Sequence, residues 1–127
     1  MATKHKAGYV DGFVLVVKKK DLPAYRRMAK LGEQVWKKYG ALDYKECVMD
    51  DPKPPFVTLT FQKMIKAKAN ETVVFSYIVF RSKAHRNQVN AKVMKDSLMN
   101  EPKWKDKPMP FDMKRMAYAG FKIIVGS

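Results

Sequence analysis

The chain has one cysteine and two histidines among its 127 residues. A lone thiol, Cys47, excludes an intramolecular disulfide. Two histidines, one of them His5 near the start, give no cluster for zinc, and no HExxH, paired CxxC or GxSxG pattern is present. The six glycines form no phosphate-cradling loop. Acidic residues are scarce too: 12 Asp and Glu stand against 26 Lys and Arg, for a net charge of +14. Such a surface attracts anions, nucleic acid included, but says nothing of fold. No apolar run approaches the ~18–20 residues that cross a bilayer, and "MATKHKAGYV" carries no apolar stretch behind its lysines. The expectation is a soluble, cytoplasmic protein with no membrane contact. No metal site and no cofactor are expected; haem held by His85 as a single axial ligand is the weaker reading.

What the chain does have is 46% hydrophobic residues, 12% of the total aromatic, enough for one core and too few residues for two. A single domain spanning 1–127 is expected, with residues 1–8 a disordered tail and residues 50–71 an irregular insertion. "YVDGFVLVV" (9–17) and "TVVFSYIVF" (72–80) are apolar in both alternating registers, the signature of central strands, interrupted in the first only by Asp11 and Gly12. "ALDYKECVM" (41–49) alternates as an edge strand does, with Cys47 expected as a buried thiol rather than a nucleophile. "KRMAYAGFKIIV" (114–125) is the last strand, after the polar, proline-punctuated loop of 100–113.

Between these lie two helices. "DLPAYRRMAKLGEQVWKKYG" (21–40) puts Tyr25, Met28, Ala29, Gly32, Val35 and Trp36 on one arc of roughly 140° and its basic residues on the other, with Asp21 placed to cap it and Gly40 to end it. "SKAHRNQVNAKVMKD" (82–96) opens with the capping residue Ser82 and is expected to run to about Met99. A short strand at 56–61 and a helical turn at 62–67 are expected inside the insertion. Strand, helix, strand, insertion, strand, helix, strand is a split βαβ order. The fold class is therefore α+β, a ferredoxin-like βαββαβ chain with a four-stranded antiparallel sheet and both helices on one face.

Two helices cover one face of such a sheet. The other face keeps its own apolar set, larger than the few hundred Å² a monomer normally exposes. Either the insertion or the 100–113 loop folds across it, or a second copy does; the homodimer is the preferred reading.

The segments "YVDGFVLVV", "VWKKYGALDYKECV", "VVFSYIVF", "AHRNQVNAKVMKD" and "MPFDMKRMAYAGF" resemble the YbaA-like family of bacterial proteins, within the dimeric α/β-barrel superfamily. The resemblance runs from about residue 9 to 125. It implies a ferredoxin-like protomer, a barrel made from two sheets, and an insertion before the third core strand. It carries over no catalytic residue, and the range of chemistry in that superfamily makes fold a weak guide to activity.

The second helix holds the sequence's own candidate site. On the wheel, His85, Arg86 and Asn90 share the inner side with Val89, Val93 and Met94. Buried polar groups need partners, so two readings stand. In the first, a pocket between this helix and the sheet binds a small anionic organic ligand: Arg86 anchors it, Asn90 orients it and His85 serves as acid or base. Asp11 or Asp112 could then act as general base if burial raises its pKa, with Arg115, Tyr77, Tyr118 and Tyr9 around the same space. In the second, the same residues bond one another structurally, with Asp11 or Asp112 as the ion-pair partner of Arg86 or Arg115, or as a turn former beside Gly12. Weak RNA or DNA binding by the basic exterior is the alternative function; the strands lack the basic-glycine-aromatic signature of an RNA-recognition sheet.

Overall fold

The computed structural model describes residues 6–99 and 109–126; His5 and most of the loop expected over 100–113 lie outside them. Four strands, β1 (Tyr9–Lys18), β2 (Asp43–Val48), β3 (Glu71–Phe80) and β4 (Ala117–Lys122), form one antiparallel sheet in the order β2-β3-β1-β4. The helices are α1 (Leu22–Lys38), the single turn α2 (Phe61–Met64) and α3 (Lys83–Met94). The two strands with apolar residues in both registers are the central pair. They align along their full length, from Tyr9 opposite Phe80 to Lys18 opposite Glu71. Gly8, placed in the tail by the sequence, is tied to the sheet: its N–H donates to the Phe80 carbonyl at 2.9 Å, extending the β1–β3 ladder.

α1 and α3 cover one face of the sheet. Val35, Ala41, Tyr44, Ile78, Phe80, Val89 and Val93 form one buried cluster there, and Leu15, Val17, Tyr25, Ala29 and Val74 a second. Ser82 caps α3 by accepting the His85 N–H at 3.0 Å, and Gly40 follows α1 with φ +113°, a value that favours glycine. Asp21 makes no side-chain cap; it falls in a 3₁₀ turn, Lys19–Asp21, that leads into the helix. α3 stops at Met94 rather than Met99, with a separate 3₁₀ turn at Ser97–Met99, and Met94 is exposed instead of facing inward.

The opposite face is covered along part of its length. Ile65 and Ala67, just after α2, pack on Val14, Val16 and Val73. The Phe61 ring stacks parallel to Phe75 at 6.4 Å. This is the insertion folding across the sheet, by a turn of helix and not by the strand expected at 56–61: Pro54 and Pro55 interrupt extended pairing, and Thr60 instead caps α2 by accepting from the Lys63 N–H. Beyond that end the face is bare. Phe75 is 41% and Phe121 56% exposed, and Val10, Tyr77 and Val79 beside them are half-buried. Cys47 alternates with Tyr44 and Glu46 and so lies on this same face, where it is exposed rather than buried.

Candidate functional site

Asp11 interrupts β1 on the helix-covered face and is 2% exposed. A buried carboxylate needs donors, and α3 supplies one: Arg86 Nη1 donates to Asp11 Oδ1 at 2.9 Å. The Tyr118 hydroxyl from β4 donates to the same oxygen at 2.9 Å and accepts from Arg86. Burial, then the Asp11 carboxylate, pushes the Tyr118 phenol above its usual range. The guanidinium also rests 5.1 Å from the centre of the Tyr9 ring. That ring lies over Gly120, where an added Cβ would come within 2.3 Å of the Tyr9 hydroxyl. Arg86 is thus held by an ion pair, a phenol and an aromatic face, each supplied by the protein.

The other residues singled out from sequence do not gather around it. The backbone N–H of Arg81 donates to His85 Nδ1 at 3.0 Å, so this nitrogen carries no proton. The His85 ring meets Phe80 edge-on and faces Gly40, away from Asp11. Asn90 Oδ1 accepts from Trp36 Nε1 at 3.0 Å, tying α3 to α1. Tyr77 lies on the far face of the sheet beside Phe75. Asp112 and Arg115 form a separate cluster at the start of β3: Arg115 donates through Nε to Asp112 at 2.8 Å and through both Nη atoms to Glu71, and Nη1 also reaches the Lys66 carbonyl. Arg115 holds Asp112 below the usual carboxylate range, the reverse of what a general base needs, and holds Glu71 at about 2.

A mostly apolar space on the helix-covered face lies beneath α1, not α3. It is a cavity of about 430 Å³ between α1 and strands β1–β3, with Met99, Met109 and Phe111 also in its wall. Phe13, Leu15, Met28, Trp36 and Ile78 make its walls mostly apolar. One carboxylate enters it. Glu46 on β2 accepts the Tyr25 hydroxyl on one oxygen at 2.6 Å and the Tyr44 hydroxyl on the other at 2.8 Å. Tyr44 and Glu46 alternate on β2, so both face α1. Gly32, in the middle of α1, leaves the room: a Cβ there would sit 2.7 Å from the Tyr44 hydroxyl. Burial, then the charge of Glu46, pushes both phenols far above their usual range, so they remain donors at any physiological pH.

Sequence reasoning passed over Glu46. The signal was present, since Glu46 falls in the inward phase of "LDYKECV" with Tyr44. Among the described residues no group of three or more His, Cys, Asp and Glu is placed to hold a metal ion, and no helix is long and apolar enough to cross a membrane.

A family model described as a protein of unknown function, DUF1428, matches residues 8–113. The uncharacterised protein YbaA of Escherichia coli strain K12 is 44% identical over 117 residues, which cover 92% of this chain and 97% of that one. YbaA of Shigella flexneri aligns at the same identity and coverage. Among solved structures, a dimeric ferredoxin-like protein from an uncultured marine organism superposes with a TM-score of 0.57 at 10% identity, over 94% of this chain and 99% of that one. That likeness supports the ferredoxin-like fold.

Proposed function

The chain belongs to the DUF1428 family, and from that premise we propose that it is a cytoplasmic homodimer that binds a small organic molecule in the cavity beneath α1. The observation that carries the binding reading is that cavity: about 430 Å³ of mostly apolar space into which one carboxylate and two phenols converge. A concave apolar space with a few fixed polar groups is the usual form of a small-molecule site. The site moves from α3 to α1 because Arg86 is committed to Asp11 and does not line the cavity. A thermal-shift screen of metabolites tests the reading. Ligands that raise the melting temperature of the wild type should fail to do so in Met28→Trp, whose indole fills the cavity from α1. Equal shifts in both proteins would place the ligand elsewhere.

The homodimer reading rests on the bare end of the sheet, where Val10, Tyr77, Val79 and Phe121 present a contiguous apolar surface. The superposing marine protein is described as dimeric, and stacking two such sheets would bury both copies of this surface. Nucleic-acid binding has one observation in its favour: Arg26, Arg27, Lys30, Lys37 and Lys38 are all exposed on the outer side of α1. A labelled oligonucleotide titrated across a salt series tests it; binding that survives physiological salt and is lost when these residues are replaced would support that function.

A further inference from the structure

Building on the cavity reading, we infer that the occupant is a cation: an apolar amine whose ammonium group meets Glu46 and whose body fills the space between α1 and the sheet. Three observations converge on this. The first is how carboxylates are treated elsewhere in the molecule. Asp11 is paired with Arg86, Glu71 with Arg115 and Asp96 with Lys38. Glu46 receives two phenols and, among the described residues, no guanidinium or ammonium. Phenol hydrogen bonds bring no positive charge to the carboxylate, and each oxygen keeps a free acceptor direction. Arg26, Lys30 and Lys45 share a neighbouring groove with Glu46 but do not line the cavity.

The second observation is the lining. In a chain of net charge +14, no Lys, Arg or His is among the described residues of the cavity wall. Among the described wall residues the sign is therefore opposite to that of the molecule as a whole. The third is the type of wall. Phe13, Tyr25, Trp36, Tyr44 and Phe111 put aromatic rings in the same cavity wall as the carboxylate, and such rings attract a cation with their faces and hold an apolar body with their area. Asn90 fixes the Trp36 ring from behind through its indole N–H. A carboxylate in an aromatic-walled cavity is complementary to an ammonium head and repels an anion.

Isothermal titration at neutral pH with three probes of one skeleton tests the inference: naphthylmethylamine, naphthalenemethanol and naphthoate. The amine should bind about tenfold tighter than the alcohol, with naphthoate weakest. The overall charge of the protein would produce the opposite order, so the ranking in the wild type is decisive even if a variant folds poorly. Glu46→Gln should reduce the advantage of the amine to about twofold or less and leave the alcohol nearly unchanged. Tyr25→Phe should retain the preference, because the charge stays. Binding of all three probes with equal affinity, tightest binding of naphthoate, or an amine preference that survives Glu46→Gln would overturn the inference and leave the cavity reading standing. Binding of none of them would overturn both.

Discussion

The two faces of the sheet are built from the same two strands and meet opposite fates. On one, Leu15, Val17, Val74, Ile78 and Phe80 are closed over by α1 and α3. On the other, Val14, Val16 and Val73 are covered by Ile65 and Ala67, while Phe75 and Phe121 face outward. The difference lies in what the chain has available. Each long helix has an apolar arc to lay on the sheet, whereas the insertion has one turn, α2, and covers only one end. The covered face also encloses polar groups, Asp11 and Glu46, and satisfies each with named donors. The bare end presents Val10, Val79 and Phe121, with the Asp43–Lys45 ion pair at the β2 edge beside them, an apolar centre with a charged rim as expected of a surface that a partner completes.

This contrast can be broken at several points. On the covered face, Phe80→Ala removes a ring with no exposure and should cost about 3–5 kcal/mol in denaturant unfolding, at any protein concentration. Arg86→Ala leaves Asp11 buried with only a phenol and should cost about 3 kcal/mol, whereas Arg86→Met combined with Asp11→Asn should recover most of that loss. On the bare face, Phe121→Lys should leave the core intact yet weaken self-association about 30-fold or more, read by sedimentation velocity. Removing the α3 cap with Ser82→Ala should cost about 1 kcal/mol. The smallest effect expected is with acid. Arg115 holds Glu71 at about 2, below its ordinary value of 4.5. A depressed carboxylate contributes stability above its ordinary pKa and loses it on protonation. A melting-temperature profile should therefore be insensitive to Glu71→Gln-type loss of this ion pair only below about pH 2, and the wild-type advantage should shrink as pH falls from 4.5 towards 2.

Much of the fold was legible because it follows from side-chain period. The doubly apolar β1 and β3 had to be central, the arcs of α1 had to face the sheet, and Ser82 and Gly40 had to mark helix ends. The insertion was harder to read, since prolines and a capping threonine decide its path locally and Ile65 finds its partners far away in sequence. The site was the least legible part. Polar residues on an apolar helix face drew attention to α3, but Arg86 and Asn90 turned out to hold the structure to Asp11 and Trp36. Glu46 gave a weaker signal, because a glutamate on an edge strand is ordinarily solvated. Only the meeting of Tyr25 from α1 with Tyr44 from β2 shows that its side chain points inward. Met94, inward by its angle on the helical wheel, and Cys47, expected as a buried thiol, are both exposed.

The measurement that bears most directly on the bare face is sedimentation equilibrium of the wild-type protein at low micromolar concentration. A particle of twice the chain mass, reduced to one chain mass by Phe121→Lys, is the predicted result. A wild-type particle of one chain mass, with the Phe75 and Phe121 surface left in water, would contradict the account.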